Sequence, residues 1–110
     1  MEFSVKNQVV VISKLSNQVL DLSKELLENK QFWNDYHVIL EVQECSLSQQ
    51  SIYDAIAPIF RDHNAQQKSF VLVDKVDRLK KYPEELSAAP TQDEAFDLIE
   101  MEEIARDLGF

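Results

Sequence analysis

Glycine is almost missing from this chain: Gly109 is the only one in 110 residues. Without a glycine-rich turn the backbone cannot approach a pyrophosphate closely, so P-loop and dinucleotide-binding motifs are excluded, and no cofactor is expected. Cysteine is equally scarce, Cys45 alone, so no disulfide framework can form. The two histidines, His37 and His63, fit no ligand spacing such as C-x-x-C or H-x-x-x-H. A zinc hydrolase of the H-x-H-x-D-H type cannot be assembled from them, and no metal or catalytic residue is assigned. No strictly apolar run is longer than about five residues, far short of the roughly 20 that span a bilayer. The opening MEFSVKNQVVV lacks the basic start and long apolar stretch of a secretory signal. With the single cysteine, this predicts a cytoplasmic protein without membrane insertion.

Positive charge is also short. Eleven bases stand against twenty acids, a net charge of −9, which repels a phosphate backbone over about a Debye length and argues against a nucleic-acid partner. The excess is uneven. Residues 91 to 110 hold Asp93, Glu94, Asp97, Glu100, Glu102, Glu103 and Asp107 against Arg106, which makes the C-terminal segment the distinctive surface. The basic stretch from Lys75 to Lys81, with Arg78 and Lys80, is either a site for an acidic partner or phosphate, or a solvated face diluted by Asp74 and Asp77.

What is present is an alternation of strand and helix signals within one domain, residues 1–110. EFSVKNQVVVIS reads as two strands joined by a tight turn near Lys6, Asn7 and Gln8. Leu15, Val19, Leu22 and Leu26 then recur at helical spacing, with Leu20 and Leu27 widening the stripe and Ser16 or Asn17 as cap. YHVILEV is a strand covered on both faces. Ile52, Ile56, Ile59, Phe60 and His63 make a helix of about four turns with Pro58 inside, where one ladder hydrogen bond is lost and a kink is expected. SFVLVD is another buried strand, KVDRLKKY a short helix or turn ended by Pro83, and ELSAAP a short edge strand.

Thr91 and Glu94 form a T-x-x-E capping box that opens the last helix. Ala95, Leu98, Met101, Ala105 and Leu108 read as its inward stripe, with Phe96, Ile99 and Ile104 beside it and Gly109 at its end. The order β-β-α-β-α-β-α-(β)-α predicts an α/β fold with a mostly parallel sheet, an antiparallel N-terminal hairpin and about four helices.

Three stretches, the hairpin FSVKNQVVVIS, the strand HVILEV feeding into SQQSIYDAIAPIF, and SFVLVDK followed by PTQDEAFDLIE, resemble the STAS domain of bacterial anti-sigma-factor antagonists over about residues 2 to 101. In that family the segment after the third strand carries Asp-Ser-Ser/Thr-Gly-Leu, and its hydroxyl is phosphorylated by a partner kinase to switch binding off. Gln49, Gln50, Ser51, Ile52 and Tyr53 occupy those five places, and Ser51 alone matches. Where the family has an acid and a glycine, this chain has Gln49 and a β-branched Ile52.

Ser51 therefore has two readings. It is a residual phosphoacceptor, with Ser48 as a second candidate, on a helix N-terminus whose dipole favours phosphate; or it belongs to a group of small polar residues that start the helix, with Ser48 or Ser46 as the cap. Cys45 is expected to be a small core residue. His37 is expected to be structural on its strand, and His63 to face the last carbonyls of its helix.

The last segment, IEMEEIARDLGF (residues 99–110), reads as an acidic helix, with residues 101–110 as a C-terminal extension. Met101, Ile104, Leu108 and Phe110 lie on or near one face, either as a partner-docking helix or as the end of a core helix. The reading is a non-enzymatic, regulatory protein-binding module with contact surfaces at Ser46, Gln49, Gln50, Ser51 and Tyr53 and on the C-terminal helix. The alternatives are a phospho-regulated antagonist using Ser51 and, by the same resemblance, a small-ligand or lipid-binding domain.

Overall fold

The computed structural model describes residues 1–15 and 21–109. Among them the chain forms an α/β domain with a five-stranded mixed sheet and four α-helices. Strands β1 (Glu2–Lys6) and β2 (Val9–Ser13) form the antiparallel hairpin. Asn7 and Gln8 between them have φ of +52° and +65°, the left-handed pair that a two-residue primed turn requires. Strands β3 (His37–Glu41), β4 (Phe70–Val73) and β5 (Ser87–Ala89) continue the sheet in parallel, in the order β1-β2-β3-β4-β5.

The strand period of two divides the apolar residues between two layers. Val10, Ile12, Val38, Leu40, Phe70 and Leu72 face helices α1 (Leu22–Glu28) and α2 (Gln49–Ala65). Val9, Val11, Ile39, Val71 and Val73 face α4 (Gln92–Asp107). This two-sided burial is why β2, β3 and β4 read as nearly unbroken apolar runs.

Helix α1 begins one residue after Asp21, whose carboxylate accepts the N–H of Lys24 at 3.0 Å. Asp21, not Ser16 or Asn17, is therefore the cap of this helix. Those two residues, with Val19 and Leu20, lie outside the described residues. Helix α2 runs unbroken through Pro58. Its missing donor leaves the Asp54 carbonyl without a ladder partner, and both residues lie on the exposed face, where an unpaired carbonyl costs less than it would in the core. A short helix, α3 (Val76–Leu79), follows β4.

Thr91 caps α4, its hydroxyl accepting the N–H of Glu94 at 3.2 Å, and Gly109 follows the helix with φ of +83°, as a left-handed C-terminal cap requires. The phase of α4 differs from the sequence expectation. Ala95 and Ile99 are buried, and the inward line continues through Glu102 and Arg106. Met101, Ile104 and Leu108 point away from the sheet, 64%, 53% and 67% exposed. The reason lies in what the sheet offers: α4 covers β3, β4 and β5, and beneath its second half the amino ends of these strands present polar groups. Arg106 Nη2 donates to Ser69 Oγ at 3.0 Å, Ser87 Oγ donates to Glu102 Oε2 at 2.6 Å, and Glu103 Oε1 lies 2.9 Å from His37 Nε2. No helix of the described residues is long and apolar enough to cross a membrane.

Candidate functional site

The carboxyl ends of β3 and β4 meet where the sequence places its small polar residues, the usual position for a site in a parallel sheet. Val42 N–H bonds to the Val73 carbonyl at 2.9 Å, and Cys45 N–H to that of Val42 at 2.9 Å. The Cys45 side chain is turned into the core, 5% exposed, which keeps its thiol away from solvent. Ser46 is exposed just before the helix.

Ser48 is the N-cap of α2. Its hydroxyl accepts the N–H of Ser51 at 3.1 Å and donates to the Ser51 hydroxyl oxygen at 3.0 Å. Ser51 is exposed on the first turn, with both its N–H and its hydroxyl oxygen engaged by the cap. Ile52 is fully buried and begins the apolar stripe of the helix. Gln50 Nε2 donates to Asp54 Oδ1 at 2.8 Å, a bond along the helix surface.

Tyr53 joins an exposed cluster. Its hydroxyl donates to Glu85, Arg61 Nη2 donates to the Tyr53 oxygen at 3.0 Å, and Arg61 also pairs with Glu85. The hydrogen bond to Glu85 raises the Tyr53 pKa, and hydrogen bonds from Arg61 and Tyr53 lower that of Glu85.

A residue that sequence reasoning treated only as dilution of a basic run is the anchor of this edge. Asp74 is completely buried at the end of β4. It accepts the N–H of Lys75 at 2.8 Å and the hydroxyl of Tyr82 at 2.7 Å, and its Oδ2 lies 3.2 Å from Arg78 Nε. That Arg78 Nε has no well-aligned hydrogen bond, so the contact is an ion pair rather than a directed bond. Burial, then the hydrogen bond to Asp74, raises the Tyr82 pKa well above the usual phenol range. Arg78 Nη2 reaches across to the Leu47 carbonyl at 2.9 Å and so fixes the loop leading to Ser48.

The basic stretch is thereby corrected: Arg78 is turned inward, and Lys75, Lys80 and Lys81 stay exposed. The sequence signal for the anchor was an aspartate directly after an apolar strand, with Arg78 four and Tyr82 eight residues on.

The two histidines hold the opposite, amino edge of the sheet. His37 Nδ1 accepts the N–H of Ser69 at 2.9 Å, so the ring proton sits on Nε2 and donates to Glu103. His63 does not face its own helix end. Its Nε2 donates to the Tyr36 carbonyl at 2.7 Å, and its ring packs edge-on near Trp33 and Phe70. The 2.7 Å bond and this aromatic packing draw it inward, leaving Nδ1 without a partner among the described residues.

Burial lowers both pKa values below the ordinary imidazole value, only partly opposed at His37 by Glu103 and at His63 by the Tyr36 carbonyl. A lowered folded pKa means the unfolded chain takes up protons first. The stabilisation is complete above about pH 6.5 and is lost as pH falls from there through the folded values. Urea midpoints are therefore expected to stay nearly level from pH 7.5 to about 6.5 and to fall from there to pH 5.5, and a profile flat over the whole range would contradict the placement of both rings.

Among the described residues no three of His, Cys, Asp and Glu are grouped as metal ligands. The junction residues Ser46 to Tyr53 lie on one side of the sheet's carboxyl edge, whereas Met101, Ile104 and Leu108 project from a helix on the opposite layer. The structure thus separates the two expected contact surfaces, and Phe110 lies outside the described residues. Compared with family models and with curated proteins, the chain matches none of them.

Proposed function

We propose that this chain is a non-enzymatic, cytoplasmic protein-binding module of STAS-like fold, and that it docks its partner on the outer face of α4. One observation carries the reading. Three large apolar side chains, Met101, Ile104 and Leu108, stand more than half exposed along one line of a helix whose polar residues Glu102, Glu103 and Arg106 hold it to the sheet. A surface helix ordinarily does the reverse, and contiguous exposed apolar groups rimmed by charge mark interaction sites. The element order supports the STAS-like part of the reading, by analogy of fold.

The test is capture from native lysate on the immobilised protein, with Ile104→Glu as the comparison. Ile104 is 53% exposed, so this variant is expected to keep its thermal midpoint while recovery of specifically bound proteins falls at least about tenfold, the loss of roughly 1.4 kcal/mol of binding. Equal recovery by both proteins would remove α4 as the docking face.

A second reading is favoured by the exposure of Ser51 on the first turn of α2: a phospho-regulated antagonist with Ser51, or Ser48, as acceptor. Phosphate there would meet the positive end of the helix dipole but would break the Ser48 to Ser51 hydroxyl bond. Intact-mass measurement on protein from its natural host decides it, since absence of phosphate under every growth condition removes the switch.

A further inference from the structure

The outward apolar line of α4 has a charged border and a groove beside it. Asp97, Glu100 and Asp107 are exposed on the same helix. Between α4 and the β1–β2 turn lies a groove of about 460 Å³ whose floor is Val9, Phe96 and Ile99. Asp93, Asp97, Glu100 and Glu103 stand around it, and Lys6 is the cation among its lining residues.

The groove exists because of the fold. Helix α4 covers β3, β4 and β5 and buries Val9 and Val11 of β2 at its margin, while the register Lys6↔Val9 and Ser4↔Val11 leaves β1 with a polar row on this layer, so the first strand lacks a helical cover there. Lys6 already displays the kind of group the groove accepts: its ammonium lies 5.9 Å from the centroid of the Phe96 ring, within cation–π range.

We propose that the outer face of α4 and this groove together bind a basic amphipathic helix of a partner protein. Apolar side chains at i, i+3 and i+7 of that helix cover Met101, Ile104 and Leu108, which have the same spacing, and a lysine or arginine enters the groove beside Lys6. The inference rests on the docking role given to α4 and adds the chemistry of the partner.

Charge complementarity selects this occupant. A second copy of the same face would set Asp97, Glu100 and Asp107 against their own equivalents, and an acidic peptide or anionic lipid surface meets the same repulsion. A basic helix replaces that repulsion with attraction and covers the apolar line in the usual helix-in-groove manner.

The experiment is selection on the intact chain from a displayed library of helical peptides, leucine at i, i+3 and i+7 and the flanking positions randomised among Lys, Arg, Glu, Asp and Ser. Selected peptides are then measured by fluorescence anisotropy. Enrichment of Lys and Arg is expected, with affinity weakened about tenfold or more both by Ile104→Glu and by the double variant Asp97→Lys/Glu100→Lys, and reduced by raising salt from 50 to 300 mM.

Peptides without basic enrichment, or basic peptides indifferent to the charge-reversed variant, would overturn the inference. If their binding still depended on Ile104, the docking role of α4 would survive that failure. Peptides that bind wild type and Ile104→Glu alike would overturn both. Circular dichroism of each variant confirms that the exposed substitutions leave the fold intact.

Discussion

Asp74→Ala is expected to destabilise the domain by about 3–5 kcal/mol, the usual consequence of removing one member of a buried ion pair. Asp74 has no exposed surface and serves three donors: the Lys75 N–H, the Tyr82 hydroxyl and the guanidinium of Arg78. Alanine leaves a buried phenol without an acceptor and a largely buried cation without a counter-charge. For a domain near this size each kcal/mol corresponds to about 4–8 °C in thermal midpoint, so the loss is large enough to read directly from a melting curve.

Asp74→Asn separates the two contributions. An amide keeps an acceptor for Tyr82 and removes the negative charge facing Arg78, so its midpoint should fall between wild type and alanine. A loss below about 1 kcal/mol for alanine would mean that Arg78 and Tyr82 find other partners, and that the node does not hold the edge. In either variant Arg78 loses its orientation toward the Leu47 carbonyl. Faster amide exchange at Ser51 and Ile52, the first capped turn of α2, is the local sign of that release.

The second large effect is a contrast between neighbours on one helix. Ile99→Ala is expected to cost about 2–5 kcal/mol, because Ile99 is 2% exposed against Val9, Val11 and Val71 in the α4 layer. Met101→Ala, two residues on, should change stability by no more than about 0.5 kcal/mol, since its side chain is 64% exposed. Urea unfolding of both variants in one buffer checks the pair. Comparable losses at the two positions would mean that α4 is rotated about its axis from the orientation described.

That contrast also marks where sequence reasoning reached its limit. The strands were legible because Val9–Ile12, Val38–Leu40 and Phe70–Val73 are covered on both faces and therefore carry almost no polar residues. The start of α4 was legible because Thr91 and Glu94 act within a single turn. The phase of α4 was not, since Leu98, Met101, Ala105 and Leu108 form as good a stripe on paper as Ala95 and Ile99. What decides between them is the set of groups waiting on the sheet, His37, Ser69 and Ser87, which come from three distant parts of the chain.

The junction divided in the same way. Ser48 was readable as a cap because its partner lies three residues away. The role of Asp74 was not, because an aspartate among lysines looks like surface until β4 ends inside the molecule and α3 brings Arg78 and Tyr82 back over it.

The order of strands in the sheet is their order in the chain, and this bears on how the protein is made. Each strand that leaves the ribosome finds its neighbour already in place, so the sheet grows from one edge without waiting for a distant segment. The two layers are not finished together. Helices α1 and α2 are synthesised between the strands they cover, whereas α4 follows all five. Until residues 92–107 emerge, the face carrying Val9, Val11, Ile39, Val71 and Val73 has no cover, and that interval is when a nascent chain of this protein is most exposed to aggregation and most in need of a chaperone.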